Sequence, residues 1–261
     1  MFRRRRQGEE PEESLELTDE QTEEVAGEGA APGRDGGPWD SAQAFPELER
    51  IDFGAVQVPI GPGIEVQVNF EASEFDAEGN PVGGRMVAIT IVTGESGLQV
   101  QAFAAPKRSG IWEEVRKETA DEIAQAGGQT QDSEGPFGPE LLAMVPVQIP
   151  DEVLDQVPDE VREQGFAWQP VRFLGIDGPR WFLRGVVSGA AVEDAEQWQV
   201  LEDVFSNIVV VRGDQPMPPR ELLELTLPAE AQEAMAQQQA AEAGEDAFNP
   251  FERGPEITEV R

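Results

Sequence analysis

The chain has 261 residues, with 19 basic side chains against 52 acidic ones, a net charge of −33, and no cysteine, histidine or tyrosine. Without thiols there are no disulfides, thiolate nucleophiles, iron–sulfur clusters or thiolate zinc sites. Without imidazole there is no Ser-His-Asp or Cys-His arrangement, no usual transition-metal ligand set, and no side chain that titrates near neutrality when unperturbed.

Lys107 and Lys117 are the two amines open to Schiff-base chemistry. Otherwise carboxylates, hydroxyls and arginines remain. The charge is spread along the chain: residues 1–49 carry 5 basic and 14 acidic groups (net −9), 50–228 carry 12 and 30 (−18), and 229–261 carry 2 and 8 (−6). The middle is thus acidic in its own right and repels a phosphate backbone, so no general nucleic-acid binding is expected. An acidic surface ordinarily keeps a protein soluble. No apolar run reaches the ~18 residues of a membrane span. The start, Met1-Phe2 followed by Arg3 to Arg6, leads into glutamates rather than an apolar stretch. It reads as a solvated terminus and not as a secretory leader, and the expected location is the cytoplasm.

Apolar patterning divides the chain into a disordered acidic segment (1–48), a single α+β domain (49–228) and a mostly disordered Ala/Gln/Glu-rich tail (229–261). In the first, Leu15 to Val25 has the spacing of a thin, transient helix. From Ile51 the period becomes two. Ala55–Pro59 and Gly63–Glu71 predict strands joined at Gly61-Pro62-Gly63, and Arg85–Thr93 with Leu98–Ala104 predict a hairpin turning at Gly94–Gly97. Ser109 is the expected N-cap of a helix from Ile111 to Ala126, with the stripe Ile111, Val115, Thr119 and Ile123 and the stop Gly127-Gly128. A strand at Leu141–Ile149 and helical turns over Asp151–Glu163 follow. Next come a hairpin, Val171–Ile176 with Arg180–Ser188 around Asp177-Gly178-Pro179, a helix over Val192–Phe205 and a strand at Ile208–Val211. The fold expected is two tandem β-β-α-β units forming a mainly antiparallel sheet, with the helices packed on one face. A frayed helix to about Ala243 closes the pattern.

Motifs for phosphate loops, dinucleotide binding, calcium loops, nucleophile elbows and zinc proteases are absent. Neighbouring acids such as Glu113-Glu114 and Glu202-Asp203 read as solvated helix faces, because spacing in sequence fixes neither the separation nor the divergent pKa values of a catalytic dyad. The most suggestive run is Lys107-Arg108-Ser109-Gly110, two cations and a hydroxyl before a helix N-terminus, where an anion is favoured. An ordinary capped helix with two solvated cations is the plainer reading, because capping alone accounts for Ser109. Arg180 and Arg184 form a second candidate cluster, sharing one strand face while Trp181 and Leu183 share the other; internal ion pairs are its plain alternative. Asn249-Pro250-Phe251 is a short docking candidate in the tail.

Several longer runs form a recognisable set: Gly37-Pro38-Trp39-Asp40, Gln101-Ala102-Phe103-Ala104-Ala105-Pro106 followed by Gly110-Ile111-Trp112, Phe173 through Val186, and Val209-Val210-Val211-Arg212-Gly213 with Met217-Pro218-Pro219. In these runs the chain resembles an actinobacterial family known as domain-of-unknown-function family 3710, over about Gly37 to Pro228. The resemblance implies an actinobacterial cytoplasm and brings no catalytic residue, substrate or cofactor. The expectation is therefore a non-enzymatic interaction or scaffold protein, with no cofactor and no metal, that binds an unidentified protein partner or itself. Its alternative is a small-molecule protein or carboxylate-dependent enzyme with an anionic ligand at Lys107, Arg108, Ser109, Gly110, Arg180 and Arg184.

Overall fold

The computed structural model describes residues 36–75, 81–149 and 164–229, together with positions 158, 162 and 231. The Arg3–Arg6 run, the expected helix at Leu15–Val25 and Asn249-Pro250-Phe251 lie outside the described residues. So do nearly all of Asp151–Glu163 and of the helix expected after Pro228.

In chain order the elements are β1 (Trp39–Asp40), β2 (Arg50–Asp52), β3 (Val56–Pro59), β4 (Glu65–Phe75), β5 (Pro81–Thr93), β6 (Ser96–Ala104), α1 (Trp112–Gln125), β7 (Gln129–Gly135), β8 (Gly138–Gln148), β9 (Phe166–Gly178), β10 (Trp181–Gly189), α2 (Ala195–Ser206) and β11 (Val209–Val210). They make a seven-stranded antiparallel sheet in the order β4-β5-β6-β10-β9-β8-β7 and a four-stranded sheet in the order β1-β11-β3-β2. Within the small sheet β1 runs parallel to β11.

Alternation in β6 is strict: Ser96, Leu98, Val100, Ala102 and Ala104 are buried, and the residues between them are half-buried. The β9–β10 hairpin separates two cores by the same rule. Leu174, Ile176, Leu183 and Val187 point to the main core, against Leu201, Val204 and Phe205 of α2 and Val56 and Val58 of β3. Phe182 points the other way and stacks on Trp112 of α1 with ring centroids 5.8 Å apart. Each such side chain contributes about 1.5–3 kcal/mol by leaving water. Two glycines make room for the helices. A Cβ on Gly185 would meet Phe205 at 2.9 Å, and one on Gly175, whose register partner is Arg184, would run into the Trp112 indole. Adjacent strand positions face oppositely, so α1 and α2 lie on opposite faces of the large sheet.

That corrects the expectation of helices on one face, and the tandem duplication does not form. The strand after α2 joins the small sheet, not the large one. The expected pair Ala55–Pro59 and Gly63–Glu71 is not a hairpin either: β3 pairs with β2 and β11 while β4 pairs with β5. Chain adjacency suggested pairing, but the turn at Gly61–Gly63 carries the chain from one sheet to the other. The polar edge strand β7 has no apolar alternation to reveal it, and β1 lies inside the segment expected to be disordered. Both remaining hairpins form with tighter turns. Gly94 takes φ 56 at the first turn position of β5–β6, which a two-residue primed turn requires.

Residues Arg220 to Leu225 tie the sheets together. Leu222 bridges Phe103 where β5 has parted from β6, and Leu225 bridges Gly54 of the small sheet. Leu223 and Leu225 enter the main core.

The Gly175→Ala variant should lose about 1–3 kcal/mol of stability through overpacking against Trp112. Urea unfolding with unchanged m-value would register that loss, and an unchanged midpoint would contradict the fit described here.

Candidate functional site

Helix α1 begins in a way the sequence conceals. Ser109 does not cap it. Ile111 occupies the N-cap position without a side-chain bond of its own. The Asp177 carboxylate accepts from the backbone N–H groups of Ile111 at 2.7 Å and Trp112 at 3.2 Å. Gly110 is required there because a Cβ would strike that carboxylate. The anion-favouring end of the helix is therefore already filled from within. At the other end Gly127, with φ 85, and Gly128 donate to the carbonyls of Ala124 and Ile123, which closes the last turn as a Schellman motif.

Asp177 lies at the end of β9, one residue before Gly178, and Arg180 ends the turn to β10. Pro179 and Arg180 are the two turn residues, with Arg180 held at φ 63. Positive φ in a side chain of this kind is strained by about 1 kcal/mol or more and persists only where the surroundings fix it. Here the Arg180 carbonyl accepts from Ala105 N–H at 2.9 Å and from Arg212 Nε at 3.0 Å. Its Nη2 donates to Gly213 O at 3.0 Å, and Arg212 Nη1 donates to Gln215 O at 3.1 Å. The loop from Ala105 to Ile111 is thus pinned to this turn at both ends, with Lys107 and Arg108 exposed on the span between.

The predicted site residues fall into two groups. Lys107, Arg108, Ser109 and Gly110 share the hairpin end with Arg180. Arg184 does not: four positions further along β10, roughly 13 Å at strand rise, it donates through Nη2 to Gln101 Oε1 at 2.6 Å on the face that α1 partly covers. Burial lowers its pKa, opposed by the charge of Glu122. Arg212 was missed as a site residue. It joins the hairpin end only because β11 delivers it there, and no local spacing signals that.

Among the described residues the cations of this end have no acidic partner, a property they share with Arg50, which donates to the carbonyls of Pro46, Leu48 and Asn207, and with Arg184; other cations meet acids. Arg85 pairs with Glu71, Arg116 with Asp132, Lys117 with Glu113, and Arg220 with Glu114 and Glu118. Among the described residues Lys107 and Arg108 form neither an ion pair nor a hydrogen bond, and the guanidinium groups of Arg180 and Arg212 reach only backbone carbonyls. Burial, then the nearby charge of Arg180, lowers the pKa of Arg212. Asp214 lies two residues from Arg212 but makes no ion pair with it.

The family model described as "Protein of unknown function (DUF3710)" matches residues 37–234. The chain belongs to that family. No curated protein and no solved structure matches it. The span matched in this DUF3710 chain begins just before β1 and includes every element described above.

Among the described residues of the DUF3710 chain the buried carboxylates are Asp40 and Glu140, and they do not converge. Asp40 accepts from the Trp181 indole N–H at 2.6 Å and from Ala42 N–H at 2.7 Å. Glu140, on β8, lies 4.0 Å from Arg172 of β9, whose guanidinium stacks 4.5 Å from the Trp198 ring centre and donates to Val192 O. One oxygen of Glu140 and the Nε of Arg172 are buried without a hydrogen-bond partner. Neither acid lines an open groove of about 880 Å³ bounded by Phe70, Arg85, Phe103 and Arg220, where both arginines already have acidic partners. Among the described residues no group of three or more acids is placed to hold a metal ion, and no helix is long and apolar enough to cross a membrane.

Two expected outcomes follow from these contacts. Asp177→Ala should cost about 1–2 kcal/mol, the range for losing a cap, whereas Ser109→Ala should stay within ~0.5 kcal/mol; equal losses in chemical denaturation would refute the assignment of the cap. Burial raises the pKa of Glu140 above its ordinary 4.5, against the opposing charge of Arg172 and a bond from Ser133. The folded state therefore holds this proton more tightly than the unfolded chain, and stability drawn from it is lost as pH rises from about 4.5 through the folded pKa. Stability relative to Glu140→Gln should fall from pH 4.5 to pH 7.5 in parallel urea titrations; a rise would reverse the sign.

Proposed function

We propose that this acidic DUF3710 chain is a non-enzymatic protein-interaction or scaffold module of the actinobacterial cytoplasm, docking a partner through the end of the β9–β10 hairpin formed by Lys107, Arg108, Arg180 and Arg212. What supports this reading is the charge pattern. In a chain with 52 acidic and 19 basic groups, four cations gather at this end, and among the described residues none of them has a carboxylate partner. An uncompensated patch steers and orients an oppositely charged surface, which serves specificity and association rate more than raw affinity. Among the described residues no internal ion pair has to be broken before these cations meet an acidic surface.

The alternative, a small anionic ligand at the same end, draws support from one observation: Arg180 and Arg212 are held by backbone carbonyls rather than left to move freely. A carboxylate-dependent enzyme has less support, since the two buried acids lie in separate parts of the fold.

The test compares wild type with the Lys107→Glu, Arg108→Glu double variant, both fully exposed changes, in affinity capture at low and at high salt. A partner held by wild type, lost from the variant and released by salt is the expected result. The same partner held equally by both proteins at either salt concentration would overturn the assigned docking face. Wild type that captures nothing and scatters light as a strict monomer would overturn the interaction reading itself.

A further inference from the structure

Arg180 and Arg212 are positioned for more than general attraction. Each spends part of its fork on backbone carbonyls, Arg180 on Gly213 and Arg212 on Arg180 and Gln215. Among the described residues their remaining N–H donors meet no protein acceptor, and the bonds they do make hold both side chains at the same turn. The charge of Arg180 disfavours that of Arg212, and among the described residues no acid forms an ion pair with either. Asp177 is spent on the N–H groups of Ile111 and Trp112, and among the described residues Asp214 forms no ion pair. A single carboxylate would neutralise only one of the two guanidinium groups. A phosphate group carries about −1.5 to −2 charge and three acceptor oxygens, and its tetrahedral oxygens accept paired N–H donors from two arginine forks at once.

We infer that the end of the β9–β10 hairpin is a phosphate-binding site, in which Arg180 and Arg212 hold the oxyanion and Lys107 and Arg108, on the loop pinned across the same turn, close over it from the exposed side. This rests on the docking face assigned under Proposed function and names the chemistry that face takes. The shared chemistry is the phosphate group, carried either by inorganic phosphate or by a phosphorylated segment of a partner protein.

Calorimetric titration of the full chain tests it with inorganic phosphate, with a short peptide bearing one phosphoserine, and with the same peptide bearing glutamate there. Phosphate-bearing probes should bind, with affinity falling steeply as sodium chloride is added. Affinity should drop about tenfold or more in Arg212→Gln and in the Lys107→Glu, Arg108→Glu variant. The second variant touches residues that make no internal bond, so its result stands even where Arg212→Gln disturbs the loop. Binding of both probes supports free phosphate as sufficient; binding of the phosphopeptide without inorganic phosphate supports a phosphorylated partner segment. Failure of both probes, or equal affinity in wild type and the exposed double variant, overturns the inference. A glutamate peptide binding as tightly as the phosphopeptide also overturns it, while leaving the wider interaction reading intact.

Discussion

The bond from Asp177 to the start of α1 organises this end of the molecule. One carboxylate satisfies two N–H groups that a helix otherwise leaves open, and it does so from the end of β9, 65 and 66 residues away in sequence. Two consequences come with it. The helix is anchored across the face that carries Trp112 and Phe182, so the smaller core forms around a fixed axis. The preceding loop, already tied to Arg180 through Ala105, is stretched over the hairpin turn and displays its two cations there. Local backbone satisfaction and surface charge are thereby set by the same contact.

Much of the framework was legible because burial imposes its period on the residues. The alternation of Leu98, Val100 and Ala102 marks β6, and Trp198, Leu201 and Phe205 mark α2, since each lines one buried face. The hairpins β5–β6 and β9–β10 were announced by Gly94 and Pro179, whose backbone preferences belong to turns. What the pattern hid is relational. Nothing in Ala55–Pro59 states which sheet it enters, and the choice of opposite faces by α1 and α2 depends on whether a glycine stands at 175 or 185, one strand position out of phase across the ladder. A strand such as Gln129–Gly135, polar on both sides, carries no periodic signature at all.

The same division holds for the candidate site. Lys107 and Arg108 stood out because they precede a helix N-terminus and Arg180 because it shares a strand face with Arg184, and both patterns are readable without coordinates. Their grouping with Arg212, and the separation of Arg184, required the register of β10 against β6 and the exit path of β11. Ser109 was a reasonable cap by residue type, but a distant aspartate competed for the same N–H groups and won with a charged acceptor. The acids tell a similar story: abundance made any pair plausible on paper, while folding placed the two buried ones in different neighbourhoods.

The bridging segment from Arg220 to Leu225, and the pairing of β1 with β11, give the fold a particular order of assembly. Trp39 meets Val209 across 170 residues of chain, and Gly54 meets Leu225 across a comparable span. Contacts of such sequence separation slow the search for the native topology. During synthesis the small sheet cannot close until nearly the whole domain has left the ribosome, and the apolar side of β5, β6 and β10 stays without its cover until then. Nascent chains of this protein therefore spend their exposed interval late, when chaperone protection would matter most.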